Sequence, residues 1–376
     1  ALPICEDQDF WRLSGVARDS YLYCRDERYH VDDIRLTTDL VDDYKNGVLK
    51  IQAQASGDVL LLHKLIDSDG NVVAEDSGLD CEMRVDGCRP WTSETPNLYT
   101  LVTSVKRKTI TRVKRMVQPA FNMMDVETIV QRVGFRHVEI SGERLRVNGQ
   151  PIYIKGVNRH EMDPDGGYVI SRERMVEDLT IMKRLNINAI RTCHYPDDPV
   201  FYDLCDEYGF YMVAEANQEA HGFGYDDTSE AKKPQFARQI LERNQHNVSV
   251  NFNHPAIIIW SMGNETADGP NFTAVFRWIK SQDTGRPIHW QPAWKGENTE
   301  LFCPMYFSQE NCQKYVDSND PNDRKPLIMC EYSHAMGNSS GGFKEYWDIV
   351  RQSKRFQGGY IWDFVDQGLR PSKEDH

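Results

Sequence analysis

The sequence has little of what marks several large classes of protein. Its nine cysteines include no C-x-x-C pair, and an odd number of cysteines without the spacing of metal ligands argues against a zinc site and against a disulfide framework. No apolar stretch approaches the length of a transmembrane helix. We therefore expect no membrane partner.

Positive charge is also in short supply. The chain has 44 Lys and Arg against 57 Asp and Glu, a formal net charge of -13, and it has no basic run interleaved with aromatic residues. Such a chain repels phosphate backbones, so nucleic acid is not expected as a partner. Aromatic residues make up 11%, and several Trp and Tyr follow apolar runs, where they suit stacking against sugar rings.

Two apolar runs each end in a glutamate. Residues 257–265 have the sequence IIIWSMGNE, and residues 326–334 have the sequence PLIMCEYSH. An apolar run without alternation predicts a strand buried on both faces of a parallel sheet. Barrel enzymes carry their chemistry at the carboxyl ends of such strands, so Glu265 and Glu331 are candidates for paired acid and base work. The alternative is that each glutamate is a solvated charge at a strand end.

The length of 376 residues predicts two domains, because a single core normally stops growing below that size. Residues 19–140 contain short alternating strands, such as Val48 to Ala55, and Asp69-Gly70 is a hairpin signal between two apolar runs. This pattern predicts an antiparallel immunoglobulin-like sandwich. Residues 1–18 show neither the two-residue period of a strand nor the 3.6-residue period of a helix. They are expected to be the tail of an earlier domain. The chain opens without Met or a leader, so we expect its true N-terminus to have been removed, and the compartment stays open.

From residue 141 to 376 the pattern changes to strands followed by helices. Ser171 is expected to cap a helix with Met175, Leu179, Met182 and Leu185 on one face. Eight strands, most followed by a helix, favour a (β/α)8 TIM barrel over an open doubly wound sheet, which would usually carry a Gly-rich phosphate turn. The predicted strands are 152–160, 189–191, 211–213, 256–260, 287–290, 301–303, 327–330 and 359–362, and the other predicted helices are 199–208, 235–252, 270–282 and 341–355.

The barrel prediction gathers a set of polar and aromatic residues at one face. Glu219 and His221, together with Glu265, offer two carboxylates and an imidazole, which suit Mg²⁺ or Mn²⁺. The alternative is a hydrogen-bonded His-Glu pair that orients Glu265. The residues expected just after the strands are His160, Arg191, His194, Asn217, Glu219, His221, Asn264, Glu265, Tyr306, Glu331, His334, Trp362 and Asp363.

Four segments together resemble the β-galactosidases of glycoside hydrolase family two. They are Asn264-Glu265 after its apolar strand, 330–338 (CEYSHAMGN), 156–161 (GVNRHE) and 359–363 (GYIWD). The resemblance covers nearly the whole chain. It implies the end of a sugar-binding jelly-roll domain, a complete immunoglobulin-like domain and most of a catalytic barrel.

The resemblance implies retaining hydrolysis of terminal β-D-galactosides, with Glu331 as nucleophile and Glu265 as acid/base. It implies Mg²⁺ bound by Glu219, His221 and Glu265, and a Na⁺ site that draws on residues beyond the last strand. It leaves a homo-oligomer open for the full-length protein. By similarity the residues that contact the sugar or hold the glutamates are His160, His194, Asn264, Tyr306, His334 and Trp362, with Asp9, ahead of Asp7, as a carboxylate from the jelly-roll segment.

Three alternative interpretations fit the same residues. A β-glucuronidase or β-mannosidase would share the fold and both glutamates, although the 331–338 segment resembles the galactosidase version. A metal-dependent barrel hydrolase would use Mg²⁺ or Zn²⁺ to activate water, but no His-x-His follows the first barrel strand. A non-catalytic carbohydrate-binding fragment is the third alternative.

Overall fold

The computed structural model describes residue 8 and residues 10–111 and 120–371. The described residues form two compact units. One consists of Asp19–His137 with Phe252–Pro255, and the other of the residues up to Arg18, Val138–Asn251 and the residues from Ala256 onward. The predicted domain extents of 1–18, 19–140 and 141–376 stay predictions. In the described part of the chain, no helix has the length and apolar character needed to span a membrane.

The first unit contains two antiparallel sheets, which confirms the predicted sandwich. One sheet has the order β1-β2-β5 and the other has the order β4-β3-β6-β7. Their inward faces supply a core in which Leu49 and Ile51 are buried while Lys50 between them is exposed, as alternation in a half-buried strand requires. The strands are β1 (His30–Val41), β2 (Asn46–Ser56), β3 (Val59–Ile66), β4 (Val72–Ser77), β5 (Asp80–Val85), β6 (Tyr99–Thr111) and β7 (Ala120–Val133).

The Asp69-Gly70 hairpin prediction is confirmed. β3 and β4 pair antiparallel with Ile66 opposite Val72. Gly70 has φ +85°, a backbone conformation that glycine adopts without a steric penalty. The Asp67 carboxylate accepts the backbone N–H groups of Asp69 and Asn71 at 2.9 and 2.8 Å, which fixes the turn.

The second unit contains a parallel sheet of seven strands in the order β15-β14-β13-β12-β11-β17-β16. It is the wall of the predicted (β/α)8 barrel. A small antiparallel sheet of β8 (Val138–Ser141), β9 (Arg144–Val147) and β10 (Gln150–Pro151) precedes it. The barrel strands are β11 (Ile154–Arg159), β12 (Ala189–Thr192), β13 (Tyr211–Glu215), β14 (Ile257–Ser261), β15 (Ile288–His289), β16 (Leu327–Tyr332) and β17 (Phe356–Phe364).

The sixth predicted strand, 301–303, is not formed as a strand, and that prediction was wrong in detail. The segment makes only isolated parallel bridges, from Phe302 to Leu327 and from Met305 to Glu331. On its other side the N–H of Glu300 donates to the Ile288 carbonyl oxygen at 2.9 Å. Pro304 has no N–H to donate, so a regular ladder cannot continue there, but the segment still links β15 to β16.

Helices follow most barrel strands at nearly the predicted positions. Ser171 caps α1 by accepting the Arg174 N–H at 3.2 Å, and Met175, Leu179 and Met182 are buried. Leu185 was predicted on the same face, but it is the C-cap residue and is 65% exposed. The helices are α1 (Arg172–Arg184), α2 (Pro199–Tyr208), α3 (Ala237–Asn251), α4 (Pro270–Gln282), α5 (Gln309–Asp317) and α6 (Phe343–Gln352), with 3₁₀ turns at His221–Phe223, Glu230–Lys232, Pro234–Phe236 and Gln291–Ala293.

Helix α5 was not predicted. Its sequence, QENCQKYVD, is largely polar and buries only Cys312 and Tyr315, so its apolar period is short. Ser308 caps it by accepting the N–H of Asn311 at 3.2 Å. A serine at this position is a typical helix start, so it was the one sequence feature that could have predicted α5.

Candidate active site

The two predicted catalytic glutamates lie at the carboxyl ends of β14 and β16. All residues of both strands are buried, as the unbroken apolar runs predict. Gly263, after β14, has φ +135°, and a Cβ there would lie 2.4 Å from the Gln218 carbonyl oxygen. Glycine therefore permits the Asn264 N–H to donate to that oxygen at 2.7 Å. This bond fixes the backbone that presents Glu265.

Glu331 is 3% exposed and is held by two donors. Arg191 donates to its Oε1 at 2.9 Å, and the Tyr306 hydroxyl donates to its Oε2 at 2.5 Å. The Tyr306 N–H also donates to the Glu331 carbonyl oxygen at 2.9 Å, which places the phenol beside the carboxylate. Two donors on a buried carboxylate fix the position of both of its oxygens.

The Tyr306 phenol links the two glutamates electrostatically. Burial raises the pKa of Tyr306 far above its ordinary value, and the negative charges of Glu331 and then of Glu265 raise that pKa further. The phenol therefore keeps its proton and remains a donor at any working pH. Both carboxylates are therefore close enough to this hydroxyl group to raise its pKa.

Arg191, on β12, is fully buried and lies at the centre of a polar network. It donates twice to Glu215, at 2.8 and 2.9 Å, to Asn158 at 2.9 Å and to Asn264 at 2.8 Å. Burial by itself would lower the pKa of Arg191, but Glu215 and other neighbouring groups outweigh it, so the pKa lies well above its ordinary value. The guanidinium is a permanent cation that fixes Glu331 and Asn264 in one frame.

Asn264 connects this network to the predicted metal site. Its side-chain amide donates to Glu219 Oε1 at 2.8 Å. His221 Nε2 lies 3.0 Å from carboxylate oxygens of both Glu219 and Glu265, and the Tyr225 hydroxyl lies 2.8 Å from His221 Nδ1. One ligand atom from each of the three predicted ligands lies within 4.8 Å of the others. Two carboxylate oxygens and one imidazole fit a divalent cation such as Mg²⁺ or Mn²⁺.

An aromatic wall lines the same mouth. His194 stacks on Trp362 with ring centroids 5.3 Å apart and an interplanar angle of 9°, and His160 meets the Trp362 ring edge-on at 5.5 Å. His334 lies 5.4 Å from the Tyr306 ring and 6.4 Å from Trp362. Such a wall offers a sugar ring an apolar face and imidazole hydrogen-bonding groups.

The two buried histidines of this wall are neutral. Burial lowers the pKa of His160 and of His194 well below the ordinary value, and the neighbouring Arg191 cation lowers both further. A neutral imidazole has one nitrogen that donates and one that accepts. In each ring Nε2 is the nitrogen left for a sugar hydroxyl, because Nδ1 of His194 lies 2.8 Å from Glu215 Oε1 and Nδ1 of His160 lies 3.4 Å from the Tyr195 hydroxyl.

Of the residues predicted to act in catalysis, contact the sugar or bind metal, the structure brings together all but one. The exception, Asp9, lies outside the described residues. Its neighbour Phe10 is described and lies with its ring centroid 5.0 Å from that of His160. Asn217 does not join the glutamates: it lines a separate cavity of about 490 Å³, together with Arg18 and others.

Three polar residues of the network had no place in the predicted site: Glu215, Asn158 and Ser261. The Ser261 hydroxyl donates to Glu215 Oε2 at 2.6 Å, and the Asn158 amide donates to the Cys330 carbonyl oxygen at 2.9 Å. Each is a buried polar residue in a barrel strand. A polar residue in a predicted buried strand could have indicated the network from sequence, because a buried polar group requires a hydrogen-bond partner.

Comparison with known protein families agrees with this geometry. Residues 138–376 match the family described as Glycosyl hydrolases family 2, TIM barrel domain, and residues 29–117 match Glycosyl hydrolases family 2. The chain belongs to glycosyl hydrolase family 2. The first family match covers the barrel strands that carry both glutamates, and the second covers most of the sandwich.

The proteins similar to this chain include curated β-galactosidases. One from Aeromonas hydrophila subsp. hydrophila is 39% identical over 98% of this chain and 37% of its own length, and one from Lactococcus lactis subsp. lactis is 38% identical over 97% and 36%. The chain thus spans little more than a third of these relatives.

Among solved structures, the crystal structure of Ruminococcus gnavus β-glucuronidase matches with a TM-score of 0.74 at 20% identity. The match covers 92% of this chain and 64% of that chain. At this identity the match shows a shared fold.

Proposed function

We propose that the protein is a retaining β-galactosidase in which Glu331 is the nucleophile and Glu265 the acid/base. The observation that carries the proposal is the environment of Glu331, a buried carboxylate held by Arg191 and Tyr306 while Glu265 acts on the same phenol. The similarity to curated β-galactosidases over nearly the whole chain supports the substrate class.

The proposed reaction has two displacements. In the first, a Glu331 oxygen bonds to the anomeric carbon while the glycosidic C–O bond breaks, and Glu265 gives its proton to the leaving oxygen. In the second, Glu265 takes a proton from water as the water oxygen bonds to the anomeric carbon and Glu331 leaves. The same carboxyl group thus serves first as acid and then as base.

The supporting residues hold the reacting carboxylate in place. The Arg191 and Tyr306 donors orient both oxygens of Glu331. Holding a reacting group in the right orientation accounts for a large part of the amount by which an enzyme lowers the activation barrier. The stacked rings of Trp362 and His194 give the sugar a fixed platform. These residues bind and orient the substrate and take no part in the proton transfer.

The arginines at the strand ends favour a neutral sugar over a uronic acid. Arg159 and Arg191 are both buried, and both are bound to carboxylates of the protein itself, Asp197 and Asp178 for Arg159 and Glu215 and Glu331 for Arg191. Neither offers an open guanidinium to a substrate carboxylate. This observation favours a galactoside over the glucuronide alternative.

We further propose that Mg²⁺ binds to Glu219, His221 and Glu265. When bound, the ion supplies a positive charge that favours the ionised form of a neighbouring carboxyl group. Asn264 would keep Glu219 oriented toward the site, since its amide donates to Glu219 Oε1. The Na⁺ site and the homo-oligomer stay predictions.

We expect chelation of divalent cations to lower activity on aryl β-galactosides and to shift the pH profile without abolishing turnover. The reason is that the proposed chemistry belongs to Glu331 and Glu265, while the ion acts on the charge of Glu265. The measurement is the pH dependence of kcat before and after EDTA treatment, with binding followed independently by the electron paramagnetic resonance of added Mn²⁺.

Glu219→Gln is the informative variant for this experiment. It keeps an oxygen that accepts the Asn264 amide but loses the negative charge, so Mn²⁺ binding should weaken while the Asn264 position is retained. Complete and metal-reversible loss of turnover after chelation, with no covalently trapped sugar, would instead support the metal-dependent hydrolase.

The stereochemistry of the product tests the proposal as a whole. We expect proton NMR of the first-formed sugar from an aryl β-galactoside to show the β-anomer, because two displacements at the anomeric carbon restore its configuration. An α-anomer appearing first would make Glu331 a base acting through water.

The substrate class is tested by assaying the full-length protein on an aryl β-galactoside, an aryl β-glucuronide and an aryl β-mannoside. A preference for either other glycoside would replace the galactosidase assignment.

A further inference from the structure

A second group of potential metal ligands lies inside the aromatic wall, and it includes a thiol that has no part in the proposed reaction. It consists of His160, Cys193 and His194, all of which are buried, and one ligand atom from each lies within 4.8 Å of the others. Unlike the Glu219 cluster, it contains a thiol and no carboxylate. Thiolate and imidazole ligands select soft or borderline cations such as Zn²⁺ and Cd²⁺ over Mg²⁺.

His194 has the arrangement of a metal-bound histidine. Its Nδ1 lies 2.8 Å from Glu215 Oε1. The Arg191 guanidinium, which can only donate, is farther from this nitrogen, at 3.3 Å. The nearer carboxylate can only accept, so we assign the proton to Nδ1 and a lone pair to Nε2. A carboxylate behind the distal nitrogen is the usual support of a histidine that binds metal through the other nitrogen.

His160 has a nitrogen available for the same purpose. Its Nδ1 lies 3.4 Å from the Tyr195 hydroxyl, while its buried Nε2 has no hydrogen-bond partner among the described residues. The side chain as a whole is only 4% exposed. An unpartnered nitrogen at this depth costs free energy, which a ligand to that nitrogen would offset.

Cys193 completes the set with a buried sulfur. Burial raises the pKa of its thiol well above the ordinary value, so the free side chain is neutral. Bonds of about 2.0–2.1 Å to nitrogen and about 2.3 Å to sulfur are normal for Zn²⁺, so the proposed site requires the three ligand atoms, which lie within 4.8 Å of one another, to surround an ion at those distances. As the metal–sulfur bond forms, the thiol proton passes to solvent.

From this arrangement we infer an inhibitory site for a soft divalent cation, Zn²⁺ or Cd²⁺, formed by His160, Cys193 and His194. His194 Nε2 lies 3.9 Å from Glu331 Oε1, so a cation on that nitrogen sits beside the predicted nucleophile. Bound metal would also occupy the two imidazoles expected to contact the sugar. Inhibition of galactoside hydrolysis, which rests on the proposed function, should therefore be competitive with substrate.

The test is a titration of the metal-free full-length protein with Cd²⁺, followed by the ultraviolet charge-transfer absorption of a Cd–thiolate bond. We expect one tight equivalent in the native protein and loss of that equivalent in Cys193→Ser. In Cys193→Ser the apparent inhibition constant of Cd²⁺ should also be about tenfold or more higher than in the native protein. The Glu219 cluster has no sulfur and cannot give this absorption band.

Three further variants keep the outcomes distinct. Cys24→Ser removes an exposed thiol and should leave the tight equivalent unchanged. Glu331→Gln should also keep the band, so metal binding is measured even if the proposed hydrolysis is wrong. His160→Asn gives a second test should circular dichroism show that Cys193→Ser does not fold. A tight Cd–thiolate band that persists in both Cys193→Ser and His160→Asn would overturn the site.

Discussion

Glu331→Gln is expected to lower kcat for aryl β-galactosides by on the order of 10⁴-fold or more. The amide cannot form the glycosyl-enzyme ester, and it pairs less well with the Arg191 and Tyr306 donors that hold the carboxylate. Substrate binding should change far less than kcat, because Trp362 and the histidines of the aromatic wall stay in place. Steady-state kinetics on the full-length protein measures both quantities.

Two additional measurements make this result specific. Azide added to Glu331→Gly should restore turnover and yield an α-galactosyl azide, since the small anion fills the space of the missing carboxylate and attacks from the same side. A 2-fluoro-galactoside should label Glu331 in the native protein, and a label on another residue would contradict the assignment. Glu345→Gln, an exposed glutamate on α6, is the matched control and should leave kcat unchanged.

Arg191→Met should have the largest effect on stability. It removes a fully buried cation and leaves the carboxylates of Glu215 and Glu331 without their main partner. Breaking a buried ion pair on one side costs about 3–5 kcal/mol. We expect a fall of that size in the free energy of unfolding at neutral pH, measured by denaturant titration, and loss of activity.

Arg191→Lys distinguishes the effect of the positive charge from the effect of the guanidinium's shape. Lysine keeps the positive charge but cannot donate through a planar fork to Glu215, Glu331 and Asn264 together. It should recover part of the stability while kcat stays low. Arg351→Met is the matched control, because that side chain is 66% exposed and lies 3.8 Å from Asp348. An Arg191→Met protein as stable and active as the native one would show that the network does not hold the site.

The sequence by itself determined the fold class and most of the predicted site. Both glutamates follow unbroken apolar runs, which predict strands buried in a parallel sheet. Such strands place both glutamates at one face, because the carboxyl ends of barrel strands coincide. Glu219 and His221 were joined to Glu265 by the same reasoning. The motifs around Glu331 and Asn264 are local, so they could be recognised without coordinates.

The tertiary structure decided what connects these residues. Asn158, Arg191 and Glu215 come from three different strands, and a linear pattern does not state which buried polar side chains pair. Tyr306 contacts Glu331 because the bridge from Met305 to Glu331 aligns the two segments, although Pro304 prevents a regular sixth strand. The grouping of His160 with Cys193 and His194 likewise depends on neighbouring barrel strands. Each of these contacts depends on how the sheet curls into a barrel. That curvature results from packing over the whole barrel, and the local spacing of apolar residues does not encode it.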